Sequence, residues 1–561
     1  MGLSASGGRA PRRILLKTII RNARVLAMDA ADTEYPTATV HVEDGVITAV
    51  EPETAREGAV RVRSAGIGPT GVRTAGRTGA AGAAGPRAPA TDATGRSTSP
   101  SGVREIDAAG HLLMPGLVNA HFHSSVNHLK GSLDSLPLEI FMLYESPSHG
   151  ATVELRAAYV RTMLGALEML KSGVTAVLDD AFFVPAPSPE LIDAVMQAYE
   201  DCGIRAVLAL DQPNVPELDK LPYLRDLLPP ALRAQAAAAP PMDAAGLLAC
   251  YQHLIERWHD RDHGRLRAAV SCSAPQRVTT EYFRALDELS NRHGLPFYIH
   301  VLETKLQRVY GEECLGGRSL IRYVHDEGLL SDRLNIIHGV WLDEADMDLI
   351  AAAGCVLAHN PISNLRLGSG IMPFRKLRSR GIPLCLGTDE SIADDAVNIW
   401  SVAKLTGLIH NLSTPDYQLW PKAGDVLDCL IRGGSRAMRA PRPIGQIAVG
   451  HRADLILIDL DTLAFTPLND LRRQLVYCEN GSSVRMTMVA GKIVYEQGAV
   501  TGIDEPALRS EARELAARQQ SANDAAQDVA REWLPYYREM YLRAASRDVG
   551  MWRWAGDERT P

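Results

Sequence analysis

Two histidines, His121 and His123, are the residues of this chain whose types and spacing best suit metal chemistry. They end a short apolar run within residues 114–123. Side chains alternate across a β-strand with a period of two, so both imidazoles would face one side and could bind the same metal ion. One His-x-His pair among 16 histidines is weak evidence by itself. The prediction therefore depends on further ligands elsewhere in the chain.

Strands that could position such ligands alternate with helical segments between residues 150 and 400. We expect strands at residues 174–178, 204–210, 266–270, 296–301, 334–337, 355–358 and 382–386. The strand that ends at Ala120 brings the number to eight. Eight strands separated by helices predict an α/β fold, a (β/α)8 TIM barrel, whose active sites lie at the carboxyl ends of the strands.

Residues able to bind a metal or move a proton recur at the ends of these predicted strands. In chain order they are His121 with His123, His300 with Glu303, His338, His359, and Asp389 with Glu390. These residues are far apart in sequence, but the barrel would make them neighbours. Coincidence is therefore a poor explanation of the pattern.

The residue types predict a site for one divalent ion. Its ligands would be His121, His123, His300 and Asp389, a set that leaves room for a water molecule whose pKa the ion lowers. The predicted catalytic residues are Glu303 as the proton carrier, His338 as the group that polarises the substrate or orients the water, and Asp389. The fourth strand, within residues 268–276, has no lysine that could bridge a second ion.

The segments on either side of the barrel, itself expected at residues 117–440, predict a composite β-sandwich. Its first part would comprise residues 14–63 and 103–116, with a hairpin around an Asp-Gly turn, and its second part residues 441–502.

Three further segments lie outside these two units. We expect a flexible tail at residues 1–13 and amphipathic C-terminal helices, interrupted at Pro535, at residues 503–561. Residues 64–102 are rich in Gly, Ala, Pro and Ser and cannot bury enough apolar surface to offset their ordering entropy, so we predict a disordered insertion.

The composition excludes several classes of protein. A net charge of −8 over 561 residues gives no sign of nucleic-acid binding, and no apolar run is long enough for a membrane span. The N-terminal residues lack the apolar core of a signal peptide. The eight cysteines contain no Cys-x-x-Cys pair, which argues against a disulfide framework or a structural zinc site. These features predict a cytoplasmic enzyme with a small-molecule substrate and no membrane partner.

Several motifs together resemble the amidohydrolase superfamily. They are PGLVNAHFHSS, HVLET, the isolated His338, HNPISNLRLGSGIMP, LGTDE and IGQIAVGHRADLILID. They are most similar to the branch that contains chlorotriazine hydrolases, guanine and cytosine deaminases and S-adenosylhomocysteine deaminases. The resemblance implies a mononuclear enzyme, with zinc favoured over iron, and the ligands and catalytic residues named above. Phe122 and Glu390 depart from the residues usual in this branch, and the extra carboxylate of Glu390 leaves the substrate open.

The predicted reaction is the hydrolytic deamination of a nitrogen heterocycle such as a purine, pterin, pyrimidine or triazine. The same site could instead hydrolyse an amide, or release a substituted amine or chloride from a heteroaromatic ring. An alternative from another class is a non-catalytic scaffold, which the complete ligand set disfavours. We also expect a homodimer or a higher homo-oligomer.

The substrate contacts are predicted from residues near the mouth of the barrel. The candidates are His128, Asp180, Gln276, His359 and Glu390. Asp179 and Asp211 also end predicted strands and face the same mouth. The loop after the first strand, residues 124–146, is expected to decide which molecule reaches the metal.

Overall fold

The computed structural model describes residues 17–53, 103–145 and 153–555. The predicted flexible tail and the predicted disordered insertion lie outside the described residues. The strands are β1 Lys17–Leu26, β2 Glu34–Glu43, β3 Val46–Pro52, β4 Val103–Asp107, β5 His111–Pro115, β6 Leu117–His123, β7 Val174–Ala181, β8 Arg205–Leu210, β9 Leu266–Ala268, β10 Val270–Ser271, β11 Phe297–Val301, β12 Leu334–His338, β13 Val356–His359, β14 Leu384–Leu386, β15 Asp389–Glu390, β16 Leu455–Asp459, β17 Val484–Val489, β18 Lys492–Glu496 and β19 Ala499–Val500.

Helices follow most of the central strands. They are α1 Leu138–Glu145, α2 Leu155–Lys171, α3 Pro189–Cys202, α4 Glu217–Lys220, α5 Leu224–Leu227, α6 Pro230–Ala236, α7 Ala244–Trp258, α8 Arg261–Gly264, α9 Thr280–His293, α10 Lys305–Cys314, α11 Leu320–Asp326, α12 Glu344–Ala353, α13 Pro361–Arg366, α14 Phe374–Ser379, α15 Ser391–Asp394, α16 Ile399–Ile409, α17 Ala423–Leu427, α18 Gly434–Ala437, α19 Leu471–Tyr477 and α20 Glu505–Ala545.

Local sequence signals explain where these helices begin and end. Before α9, the Thr279 hydroxyl accepts a hydrogen bond from the Tyr282 amide, and Gly294 ends the helix in the left-handed conformation with a φ of 62°. A side-chain acceptor at the N-terminus and a glycine just after the C-terminus are the usual signals for a helix. None of the helices within the described ranges combines the length and the apolar character needed to cross a bilayer.

The central strands form two parallel sheets of five strands each. One has the order β15-β6-β7-β8-β9 and the other the order β10-β11-β12-β13-β14. The chain joins the sheets at two points, through Ala269 between β9 and β10 and through residues 387–388 between β14 and β15. This arrangement confirms the predicted α/β class with parallel sheets.

Side chains from both parallel sheets share one core. They occupy alternate positions on successive strands, as the period of two requires. The cluster includes Val118, Ala120, Ala176, Leu178, Val207, Ala209, Ala269, Tyr298, Ile337, Val356, Ala358 and Cys385. The opposite faces of the strands pack against the helices in a larger core. The strands are therefore buried on both faces, which explains their continuous apolar sequences.

The flanking strands form one sheet of nine strands, with the order β19-β18-β17-β16-β5-β1-β2-β3 and with β4 paired to β1. The predicted hairpin is present, since β2 and β3 pair antiparallel around Asp44 and Gly45. β16 from the C-terminal flank pairs antiparallel with β5 from the N-terminal flank. The two flanks therefore join in one structure, as the sequence predicts.

The C-terminal segment corrects one prediction. Instead of helices interrupted at Pro535, a single helix, α20, runs through that proline. Proline removes one backbone donor and disfavours a helix interior by about 3 kcal/mol. Trp533, Tyr537 and Met540 on either side of it are buried. Their packing against the rest of the chain outweighs the local cost.

A buried ion pair connects the parallel strands to the nine-stranded sheet. Arg205 in β8 donates two hydrogen bonds to the carboxylate of Asp454, from Nε at 2.6 Å and from Nη2 at 2.9 Å. The Ala490 amide donates a third at 2.7 Å. Both charged side chains are almost fully buried. Each therefore needs the charge of the other to offset the free-energy cost of its removal from water.

We predict that Asp454→Ala lowers the free energy of unfolding by about 3–5 kcal/mol, because it leaves the Arg205 charge buried and unpaired. The shift of the urea unfolding midpoint measures the loss. Arg485→Ala is the control, since Arg485 pairs with Asp459 at a position where half of its side chain is exposed, and exposed pairs contribute little. Equal shifts of the urea unfolding midpoint for the two variants would show that the buried pair does not stabilise the contact between the sheets.

Candidate active site

The carboxyl ends of the parallel strands bring the predicted metal ligands together. His121 and His123 lie at the end of β6, His300 lies in β11, and Asp389 begins β15. The Nε2 atoms of His121 and His123 are 3.2 and 3.5 Å from Asp389 Oδ1. The His300 ring centre lies 4.9 Å from that of His121 and 5.4 Å from that of His123. All four side chains are buried.

The backbone is strained at two residues of this cluster. His338 at the end of β12 and Asp389 have φ values of 73° and 62°, in the left-handed region that favours glycine. Such a conformation costs on the order of 1–3 kcal/mol per residue and is concentrated at functional sites. The strain turns both residues away from regular strand geometry at the place where their side chains join the cluster.

Hydrogen bonds to backbone carbonyls fix the protonation of two imidazoles. His123 Nδ1 lies 2.5 Å from the Asp180 carbonyl oxygen, and His300 Nδ1 lies 2.8 Å from that of Ser273. A carbonyl only accepts, so in each neutral ring Nδ1 carries the proton and Nε2 keeps its lone pair. His121 Nε2 is buried and makes no hydrogen bond of good geometry, although Asp389 Oδ1 lies 3.2 Å away. These nitrogens are therefore suited to bind a cation, and the side chains present fit a metal ion.

His338 has the opposite arrangement. The Asn364 side-chain amide donates to His338 Nδ1 at 3.0 Å, so the proton of the neutral ring lies on Nε2. That nitrogen is 3.4 Å from Glu303 Oε2 and 3.8 Å from Asp389 Oδ2. His338 can therefore donate a hydrogen bond into the cluster, although its distances alone would also permit metal binding.

Burial controls the charges in the site. It lowers the pKa of His123 to about 4 and that of His338 to about 3, so both rings are neutral near pH 7. Burial also opposes ionisation of Asp389, but the surrounding imidazoles, led by His121, outweigh it and hold the pKa of this carboxyl well below its usual range. The pKa of Glu303 moves the other way, well above its usual range, because of burial and the nearby Asp389. Glu303 can therefore carry a proton.

The cluster opens into a cavity of about 520 Å³. The predicted site residues on its wall are His123, Gln276, His300, Glu303, His338, Asp389 and Glu390. Apolar side chains from α1, α7 and α20 form another part of the wall, among them Met142, Leu247 and Trp533. A cavity of this size suits a small organic molecule.

Comparison with known proteins assigns the chain to a family. The sequence profile of the amidohydrolase family matches residues 112–494, more than half of the chain. The chain belongs to this family. The assignment confirms both the resemblance predicted from the motifs and the predicted hydrolase class, and members of the family depend on metal ions.

Three similar proteins illustrate the match. The 5-methylthioadenosine/S-adenosylhomocysteine deaminase of Nitratidesulfovibrio vulgaris strain Hildenborough is 33% identical over 423 residues, 73% of this chain and 86% of the relative. The 5'-deoxyadenosine deaminase of Methanosarcina mazei is 28% identical over 498 residues, 89% of this chain and 97% of the relative. A solved adenosine deaminase from Xanthomonas campestris with bound zinc is 25% identical, with a TM-score of 0.71 over 90% of this chain and 98% of that one.

Three predicted substrate contacts of this amidohydrolase do not line the cavity. His359 faces inward, with its Nε2 3.0 Å from His410 Nε2. His128 lies near Arg161, where burial lowers its pKa to about 3. Asp180 accepts a hydrogen bond from the Ser271 hydroxyl, and its backbone oxygen orients a metal-site histidine. Position at a strand end does not distinguish such supporting residues from those that reach the cavity.

The prediction also missed acidic residues of the amidohydrolase site. Glu139 and Glu145 lie in α1 and line the cavity, within the loop segment expected to select the substrate. Burial raises the pKa of Glu145 to about 8. Asp211, weakly indicated by its place after β8, lies close to His123 and His300. Strand ends in the sequence do not reveal residues that a helix places at the mouth of the cavity.

The C-terminal segment of the amidohydrolase braces the loops that carry Glu303 and His338. Lys305 Nζ lies 5.2–5.8 Å from the ring centres of Trp341, Trp552 and Trp554, close enough for cation–π attraction. It also donates a hydrogen bond to the Ala545 carbonyl, which belongs to the last residue of α20.

Hydrogen bonds extend this brace to the catalytic region. The Trp341 indole donates to the Ser369 carbonyl and the Trp554 indole donates to the Gly368 carbonyl, each at 2.8 Å. The Ser369 hydroxyl in turn donates to Glu303 Oε1 at 3.4 Å. The position of Glu303 therefore depends in part on the end of the chain.

We predict that Trp554→Ala lowers the hydrolytic kcat on the order of tenfold or more, because a small displacement of a catalytic group is costly. Metal content, measured by elemental analysis, should stay unchanged. Leu542→Ala, at an exposed position of α20, is the control and should keep full activity. Full activity of Trp554→Ala would mean that the brace does not position Glu303.

Proposed function

We propose that this amidohydrolase is a metal-dependent aminohydrolase that releases ammonia from a nitrogen heterocycle. The observation that carries the proposal is that the buried imidazoles present different groups to the centre of the site. His123 and His300 present lone pairs to the centre, His338 presents an N–H, and Glu303 Oε2 lies 3.4 Å from His338 Nε2, where it can take up a proton. The deaminase names of the similar proteins support ammonia as the leaving group.

The ligands of one divalent ion would be His121, His123, His300 and Asp389. Such an ion lowers the pKa of a water molecule toward neutrality and so supplies a nucleophile. Zinc is favoured over iron because the similar adenosine deaminase was solved with zinc.

The chain's own residues account for the proton movements. Water adds to the ring carbon that bears the amino group, and the Glu303 carboxylate accepts the proton that water loses. Glu303 gives this first proton to the adjacent ring nitrogen. It then moves the proton of the added hydroxyl to the amino group, so that the C–N bond breaks, ammonia departs and a carbonyl forms. His338 Nε2–H orients the attacking oxygen, or it stabilises the negative charge that develops on the atoms bonded to the tetrahedral carbon.

We also infer the finer architecture around the site. The two parallel sheets, joined at both ends and sharing one core, support a closed (β/α)8 barrel. The nine-stranded sheet has a separate core formed by side chains of β1, β2, β5, β16 and β17. Strands distant in the order of this sheet share that core, which supports a sheet folded on itself as a β-sandwich. The eight cysteines are unpaired, which supports a reducing compartment such as the cytoplasm.

Metal analysis tests the ligand assignment. We predict that the purified protein holds about one divalent ion per chain, that His300→Ala loses most of it, and that His338→Asn retains it. The reason is that His338 presents an N–H to the site, whereas His300 presents a lone pair. If both variants lost the ion equally, His338 would be a ligand; a wild-type chain that remained metal-free after supplementation would favour a scaffold.

Ammonia release tests the reaction. We predict that at least one compound among purines, pterins, pyrimidines, triazines and adenosyl compounds releases ammonia. Glu303→Gln should lower kcat by about 10²–10⁴-fold, the usual contribution of a proton-transfer residue, and keep its metal.

Glu344→Gln is the matched control, because Glu344 is an exposed carboxylate that pairs with Lys376 and Arg380. Unchanged turnover in Glu303→Gln would remove this residue from the mechanism. Release of a substituted amine or chloride without ammonia would replace deamination by the alternative leaving groups.

A further inference from the structure

Two carboxyl groups outside the metal cluster meet on the wall of the active-site cavity. Glu145 ends α1, and Glu390 follows Asp389 in β15. Both line the cavity, and their carboxyl groups are within hydrogen-bonding reach of each other. Two carboxylates so close repel each other unless a proton or another positive group lies beside them.

Unused hydrogen-bond acceptors line the same cavity. Within the described residues, Glu145 Oε1, Glu139 Oε2 and Gln276 Oε1 are buried and have no hydrogen-bond partner. All three side chains line the cavity and are at least nine-tenths buried. Burying an acceptor without a partner costs about 1–3 kcal/mol. A ligand rich in N–H groups would satisfy these oxygens.

Within the described residues, the Lys220 and Arg277 side chains of the cavity wall donate no hydrogen bond to these three acceptors. Lys220 pairs with Glu217 at 2.8 Å. Arg277 donates to the Ser273 hydroxyl at 3.3 Å and to the Met142 sulfur at 3.2 Å. The residue groups that could hold a metal ion within the described chain include neither Glu145 nor Glu390. The missing partner is therefore best supplied by an organic ligand.

We propose that Glu145 and Glu390 form a subsite for a second basic nitrogen group of the substrate, such as an amidine, guanidine or additional amino group on the heterocycle. This inference rests on the proposed deamination and narrows its substrate class to amino-rich basic rings. A carboxylate accepts two parallel N–H bonds from an amidinium-type group. A site built around such bonds rejects an analogue that lacks the donors, because its own buried acceptors then stay unpaired.

Binding of a simple cation tests the subsite without turnover. Benzamidine carries the amidinium group, and benzamide is its neutral counterpart of nearly the same shape. We expect calorimetry on the metal-loaded protein to show benzamidine binding at least about tenfold more tightly than benzamide, as one charge-assisted hydrogen bond would provide. Glu145→Gln should abolish this preference.

Glu217→Gln is the matched control. Glu217 lines the same cavity, but its carboxylate is already bonded to Lys220 and to the Tyr537 hydroxyl. The preference for benzamidine should survive in this variant. Equal binding of the two probes to the wild-type protein, or the same loss of preference in both variants, would overturn the subsite. Metal content and melting temperature confirm that Glu145→Gln is folded and loaded.

Turnover separates this inference from the proposed function. In the ammonia assay, diaminopurine should have a higher kcat/KM than adenine, and Glu145→Gln should remove the difference. Ammonia released equally from both compounds would overturn the subsite and leave the deaminase proposal standing. A Glu145-dependent preference for benzamidine in a protein that releases no ammonia would support the subsite and overturn the deaminase proposal.

Discussion

The hydrogen bonds between imidazole Nδ1 atoms and backbone carbonyls are the interactions on which the rest of the site depends. They hold His123 and His300 with their Nε2 lone pairs toward the centre. The Asn364 amide holds His338 in the opposite state. Three rings of the same type thus acquire two different functions from partners that lie outside the cluster. A change in the carbonyl positions would change the chemistry, because it would change which nitrogen carries the proton.

Those carbonyls belong to the parallel strands and the turns that follow them, so the sheets determine the site. The strained backbone at His338 and Asp389 persists because neighbouring strands fix the residues on both sides. The buried pair of Arg205 and Asp454 ties β8, in the parallel sheet that also contains β6 and β15, to the nine-stranded sheet. The flanking sheet therefore restrains the parallel sheet in which β6 and β15 carry three of the predicted ligands.

The sequence allowed the residues of the buried cluster to be predicted, because strand periodicity and the alternation of strands with helices place them at one edge of the parallel sheets. It did not predict which cavity residues come from helices. Glu145 at the end of α1 has no signal in strand periodicity, and Trp554 meets Lys305 only through tertiary packing. His359 illustrates the opposite error, since a residue at a strand end points to His410 and not to the cavity. The interruption predicted at Pro535 is wrong because local propensity takes no account of the buried neighbours Trp533 and Tyr537.

The structure separates the chemistry of the site from its selectivity. The groups proposed for proton transfer and metal binding lie at or just after strand ends, where pairing with a neighbouring strand holds the backbone of His338 and Asp389. The apolar wall and Glu145 depend on α1 and α20, which supply Met142, Glu145 and Trp533 but none of the predicted ligands. Glu390 connects the predicted metal site with the carboxyl pair, because it follows the predicted ligand Asp389 and faces Glu145. An added carboxylate at that position can therefore alter substrate choice, because Glu390 lines the same cavity as the neighbouring predicted ligand Asp389.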